Sequence, residues 1–114
     1  MPPTLEPCLL VQVPDKPGNK IAEERRIHLV AHMTANKTQI DLGRLVMAGP
    51  TVETVSSGSD PAPPTITGSV MVWKSHSESE VRGWLDENPY AIMEVWDMES
   101  VKFTPFLCAV RKPM

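Results

Sequence analysis

The chain has 114 residues, 41% of them hydrophobic, which is enough for one domain with a modest core and too little for two. Eleven Lys and Arg against fourteen Asp and Glu leave a net charge of −3. The basic residues are scattered along the chain, so composition argues against nucleic acid or an anionic membrane surface as partner.

The two cysteines, Cys8 and Cys108, are too few for a disulfide framework or a zinc site. Reduced thiols are expected, with a bridge conceivable only if the two end strands are neighbours. No signal-peptide or membrane-spanning pattern is visible, and a soluble cytoplasmic protein is the expectation. Prolines bunch in the first twenty residues and again at 61–64, so residues 1–7 read as an N-terminal extension.

Cys8 to Val13 is an apolar run bounded by prolines and reads as the first strand. Asp15-Lys16-Pro17-Gly18-Asn19 is loop chemistry, with Asn19 placed as a helix N-cap. Lys20 to about Asn36 lacks Gly and Pro and predicts the first helix. Its wheel gathers Ile27, Leu29, Val30, Ala31 and Met33 on an apolar arc, and Arg25, His28, His32 and Asn36 on the other side. His28 and His32 have the i, i+4 spacing that lets two imidazoles share a metal, but no third ligand lies nearby in sequence, so no metal site is assigned.

Arg44 to Ala48 predicts the second strand, ended by Gly49-Pro50, and the Ser, Gly, Asp and Pro content of 52–66 predicts a long flexible loop. Gly68 to Lys74 predicts the third strand. Ser77 with Glu80 fits a capping box opening a second helix, which Pro89 ends near Glu87. Val81, Trp84, Leu85 and Asn88 share one face of that helix, so an amide joins the side that should bury apolar groups. A polar group aimed inward is either hydrogen-bonded or there to touch a ligand.

Trp96 to Phe103 predicts the fourth strand, with a bulge between Met98 and Val101, and Phe106 to Val110 extends it. The order is β-α-β-β-α-β, an α+β ferredoxin-like arrangement in which two helices cover one face of a four-stranded antiparallel sheet. Val70, Met71, Val72 and Trp73 cannot all face the helices. A second copy is the simplest cover for the other face, so a homodimer with its sheets face to face is expected.

The chain resembles the YciI-like (YCII-related) family of small dimeric α+β-barrel proteins. The matching residues are Arg25-Arg26-Ile27-His28-Leu29, Gly43-Arg44-Leu45 with Ala48-Gly49-Pro50, Gly68-Ser69-Val70, the Trp84 helix running into Asn88-Pro89-Tyr90, and a last strand reaching Pro105-Phe106. The likeness spans about Cys8 to Val110. It implies a dimer and a site between the first helix, the Gly-Pro loop and the end of the second helix. The family's His and Asp are proposed to form a proton-transferring dyad, and one relative dehydrochlorinates a chlorinated hydroquinone-type ring.

Arg25 and His28 match the first part of that pattern, but Asn88 stands where the aspartate is expected. An amide orients an imidazole without adding the charge that raises its basicity. Two functions follow. One is a cofactor-independent lyase or isomerase for a small cyclic or phenolic substrate, as a tailoring step in metabolism. There His28 is the acid/base, Arg25 the anion holder and Asn88 the orienting group. Met47, Gly49, Ser69, Trp73, Tyr90 and Met93 form the walls, and the loop after Val52 is a lid. Arg25 pairing on the surface with Asp41 is the competing reading of that residue. The other function is a non-catalytic small-molecule binder or assembly subunit that keeps the dimer and has lost the dyad aspartate.

Overall fold

Alternating side chains along the strands decide which side of the sheet the helices cover. In the computed structural model, which describes residues 5–55 and 63–112, four antiparallel strands stand in the order β2-β3-β1-β4. They are β1 (Glu6–Pro14), β2 (Leu45–Val52), β3 (Ile66–Trp73) and β4 (Lys102–Cys108). Leu9, Val11 and Val13 pair with Trp73, Met71 and Ser69, and these residues form the inner face. Helical residues Val81, Leu85 and Tyr90 pack on that face with Val95 and Trp96, and all five are buried. The ferredoxin-like arrangement is therefore the observed one, with its helices on one face. Val70 and Val72 face the other way, in rows with Gln12 and Leu10.

The first expected helix is broken once, and the second ends as expected before a short additional helix. The first is α1 (Ile21–Ile27) followed by α2 (Leu29–Asp41), hinged at His28. No Gly or Pro explains the break. The Tyr90 hydroxyl donates to the Arg25 carbonyl at 2.9 Å, the acceptor that the N–H of Leu29 would use in an unbroken helix. α1 starts from Lys20 without a side-chain cap, so Asn19 does not cap it.

The second helix is α3 (Glu78–Asp86), then α4 (Pro89–Ile92). Ser77 caps α3 as expected, its Oγ accepting from the N–H of Glu80 at 3.2 Å. The return half of the capping box goes elsewhere, because Glu80 Oε1 accepts from Ser75 Oγ at 3.0 Å. Asn88 caps α4, its Oδ1 accepting from the N–H of Tyr90 at 3.0 Å, and Pro89 sits at the first helical position, where its missing N–H costs nothing.

Three boundaries differ from expectation. β2 runs on through Gly49-Pro50, with its bulge between Leu45 and Met47. Trp96 makes only a bridge to Asp15, Met98–Ser100 is a 3-10 turn, and β4 begins at Lys102, so the expected bulge is a short helical turn. The N-terminal extension gives way to β1 at Glu6, while residues 1–4 of it lie outside the described residues, as do residues 56–62 of the expected loop and its lid role.

Cys8 and Cys108 lie on adjacent strands as free thiols. Among the described residues, no helix is long and apolar enough to cross a membrane.

Candidate functional site

At Gly68, β3 passes so close to β1 that a Cβ would collide with the Val13 carbonyl and approach Pro14 Cα to 2.8 Å. This close approach leaves the Gly68 carbonyl within reach of a side chain from α1, and Arg25 takes it. The Arg25 side chain runs inward and is 11% exposed. Its Nε donates to Asp15 Oδ2 at 2.6 Å, and its Nη2 donates to the Gly68 carbonyl at 2.8 Å and to Ser69 Oγ at 2.7 Å. The guanidinium also lies 5.0 Å from the Tyr90 ring centroid, within cation–π range. Nη1 meets no acceptor among the described residues. Asp15, at the start of the loop after β1, thus orients Arg25; its other oxygen, Oδ1, is buried without a hydrogen-bond partner among the described residues.

One turn beyond the hinge, His32 stacks on Tyr90 with ring centroids 3.8 Å apart and planes 6° from parallel, and meets the edge of Trp96. Its Nδ1 lies 2.8 Å from Asn88 Oδ1, and its Nε2 lies 3.3 Å from Asn36 Nδ2. The proton positions follow from a backbone group. The N–H of Tyr90 can only donate, so Asn88 must present Oδ1 to it, and the same oxygen accepts from His32. Asn88 Nδ2 then points at Asn36 Oδ1, 3.3 Å away. That turns Asn36 Nδ2 toward His32 Nε2. The chain of amides fixes a neutral imidazole with its proton on Nδ1 and its lone pair on Nε2.

Burial lowers the His32 pKa from its ordinary value, the hydrogen bond to Asn88 opposes this, and the charge on Arg25 adds to the lowering. Burial likewise raises the Tyr90 phenol, which stays a neutral donor to the Arg25 carbonyl.

Arg25, His32, Asn36 and Ser69 share the wall of a cavity of about 320 Å³ between α1–α2 and β2–β3. Its apolar walls are Leu29, Met33, Ala48, Gly49, Pro50, Ile66, Met71 and Trp96. A buried cation, a neutral imidazole lone pair and apolar walls suit a flat organic anion or enol. Among the described residues, no group of three or more His, Cys, Asp or Glu is placed to hold a metal ion.

Of the residues expected from sequence, Arg25, Gly49 and Ser69 line the cavity, and Asn88 and Tyr90 back it through His32. His28 does not meet Asn88: it sits at the hinge, its Nε2 3.3 Å from Glu24 Oε2. Trp73 is buried against Trp84 on the far side of Asn88, lining a separate pocket. Met47 is 54% exposed on the other face of the sheet, and Met93 is 48% exposed beyond α4. Arg25 pairs with Asp15 in the interior, and the surface alternative, Asp41, is held by Lys37. Sequence reasoning missed Asp15, His32 and Asn36 as site residues, although the i, i+4 spacing from His28 put His32 and Asn36 on its face of the helix.

The fold and this cavity define a small α+β protein with a pocket between its helical layer and its sheet. A model of the YCII-related domain matches residues 8–105, and the chain belongs to that family. It is 47% identical over 112 residues to the xenovulene A biosynthesis cluster protein asL2 of Sarocladium schorii, with 96% of each chain covered. It is 39% identical to the derivative of benzaldehyde biosynthesis cluster protein C of Emericella nidulans, over 68% of this chain and 79% of that one. Among solved structures, the 5-chloro-2-hydroxyhydroquinone dehydrochlorinase TftG of Burkholderia phenoliruptrix, in complex with 2,5-dihydroxybenzoquinone, superposes with a TM-score of 0.65. It covers 85% of this chain and 90% of that one at 18% identity, a likeness of fold.

Proposed function

We propose that the chain is a cofactor-independent lyase or isomerase that moves a proton on a small cyclic or phenolic metabolite, as a tailoring step in secondary metabolism. The observation that carries this reading is the state of His32. Its proton is pinned on Nδ1 by Asn88, and its Nε2 lone pair is held only by a long contact to Asn36, on the wall of a cavity that also holds Arg25.

In the proposed reaction, Nε2 takes a proton from a C–H or O–H of the bound ring. The Arg25 guanidinium balances the negative charge left on a ring oxygen. The imidazolium then returns the proton to another ring atom, or, where a leaving group departs as an anion with the electron pair, releases the proton to solvent. The general-base role expected of His28 passes to His32.

The relatives support the setting. Two carry the names of biosynthesis clusters, and TftG is named a dehydrochlorinase of a chlorinated hydroxyhydroquinone.

The test is turnover of a panel of hydroxyquinones and enolisable cyclic ketones by the parent, His32→Ala and His28→Ala chains. Loss of the base is expected to lower kcat by about 10²- to 10⁴-fold in His32→Ala. His28→Ala should retain activity. Equal rates in His32→Ala and the parent would sink the proposal. One observation favours the non-catalytic alternative, namely that burial, with the charge on Arg25, depresses the basicity of His32. Tight binding of these ligands without turnover would select it.

The same reading includes a homodimer. Met47, 54% exposed, and Phe106, 37% exposed, lie with Leu10 and Val72 on the sheet face that no helix covers. Sedimentation of the purified chain is expected to give twice the monomer mass. A monomer at micromolar concentration would refute the dimer and leave the chemistry of the cavity untouched.

A further inference from the structure

Ser69 is a buried hydroxyl, 5% exposed, whose accepting side is full. Arg25 Nη2 donates to its Oγ at 2.7 Å, and Trp96 Nε1 donates to the same atom at 3.0 Å. A serine hydroxyl has two lone pairs and one proton, so the proton is all that Ser69 has left to offer. Neither neighbour can receive it, because a guanidinium and an indole N–H only donate. No acceptor takes it among the described residues, and the residue lines the cavity beside His32.

We propose that Ser69 is a dedicated hydrogen-bond donor to a carbonyl or phenolate oxygen of the substrate. It follows that the substrates are rings carrying such an oxygen next to the position His32 deprotonates. The proposal rests on the reading of the cavity given above and adds the group that the ligand must present.

The physical case has two parts. A hydroxyl that accepts from a guanidinium is polarised, so its own proton is given more strongly, and the strengthening is largest toward an oxygen that is gaining charge. The arrangement is also built before the ligand arrives, because Asp15 and the Gly68 carbonyl fix Arg25 while Trp96 is buried in the core. A preorganised donor at the oxygen that becomes negative is the form of stabilisation that acts on the transition state rather than on ground-state binding. The selectivity runs one way. At this corner, Ser69 and Arg25 present protons and no acceptor, so a phenolate or quinone oxygen is accepted and an amino group of the same shape is refused.

The probes are 4-nitrophenol, whose phenolate is coloured and whose ionisation lies near neutrality, and 4-nitroaniline, which has nearly the same shape with an amino group in place of the hydroxyl. The parent chain is expected to bind nitrophenol with its ionisation shifted to lower pH and to bind nitroaniline far more weakly. Losing one charge-assisted bond, Ser69→Ala is expected to weaken phenolate binding about ten- to a hundred-fold and to return the ionisation toward its free value. Ser69→Thr, which keeps the hydroxyl, should restore both.

Unchanged affinity and ionisation in Ser69→Ala would overturn the role of Ser69 while leaving the His32 base in place. Failure of the parent to bind the phenol would overturn both readings. If Ser69→Ala does not fold, the parent decides alone, since equal binding of nitroaniline and nitrophenol would overturn the donor assignment.

Discussion

Replacing Arg25 by methionine should destabilise the folded chain by about 3–5 kcal/mol, the cost of removing one partner of a buried ion pair. Methionine keeps most of the apolar stem, so the loss isolates the charge. Asp15, whose side chain is 6% exposed, would remain in the interior with neither oxygen bonded among the described residues, since Oδ1 already lacks a partner there. The Gly68 carbonyl and Ser69 Oγ would lose a donor in the same step. A urea unfolding curve checks this, with the midpoint falling and the slope preserved. The neighbouring residue is an internal control. Arg26 reaches Glu23 only at 3.9 Å with both side chains exposed, so Arg26→Met should change stability by no more than about 0.5 kcal/mol. The double change Arg25→Met with Asp15→Asn should cost less than the two single changes together, because it removes the stranded charge. A loss below about 1 kcal/mol in Arg25→Met would mean that water reaches the pair.

The same ion pair shows where reading the sequence stops. Strand order and face were legible because period-two alternation leaves one choice once a face is buried, and Leu9, Val11, Val13, Met71 and Trp73 all took the inner side. The facing of the first helix was not legible in that way. An apolar arc is expected to face the core, yet Ile27, Val30 and Met33 are 59%, 77% and 60% exposed, while Arg25 is buried and His32 and Asn36 are half-buried. The polar arc turns inward because its partners wait there, Asp15 at the end of β1 and Asn88 at the start of α4. Asp15 lies across a loop from α1 and Asn88 far along the chain, so no helical-period pattern reveals either pairing. The choice between His28 and His32 has the same origin. One helical turn separates them, and the hinge made by Tyr90 decides which one meets Asn88. Asn88 itself was legible as an inward amide, and it turns out both to cap α4 and to hold the imidazole.

Asn88→Asp should raise the His32 pKa, because a carboxylate at 2.8 Å from Nδ1 stabilises the imidazolium as an amide does not. The cap survives, since a carboxylate oxygen accepts from the N–H of Tyr90 as well as an amide oxygen does. The second oxygen would replace Asn88 Nδ2 and face Asn36 Oδ1, acceptor against acceptor. Asn36 relieves this by turning over, which brings its Nδ2 to the new carboxylate and its Oδ1 to His32 Nε2. A carbonyl oxygen at Nε2 favours a proton there, so the substitution reverses the preference of the whole network.

The sign of the pH dependence reverses with it. In the parent, the folded His32 binds its proton less readily than the unfolded chain. Its contribution is therefore intact above the unfolded value near 6.5 and is lost as pH falls through the folded one. In the variant, the carboxylate is expected to carry the folded pKa above the unfolded one, so stability is present below about 6.5 and is lost as pH rises through the folded value. NMR titration of the His32 ring protons reads the shift directly, and unfolding curves at pH 5.5 and 8 read the reversal. The rate limb assigned to the free base should move to higher pH by the same amount. An unmoved ring titration would show that position 88 does not reach His32 in solution, and the neutral imidazole would then need another cause.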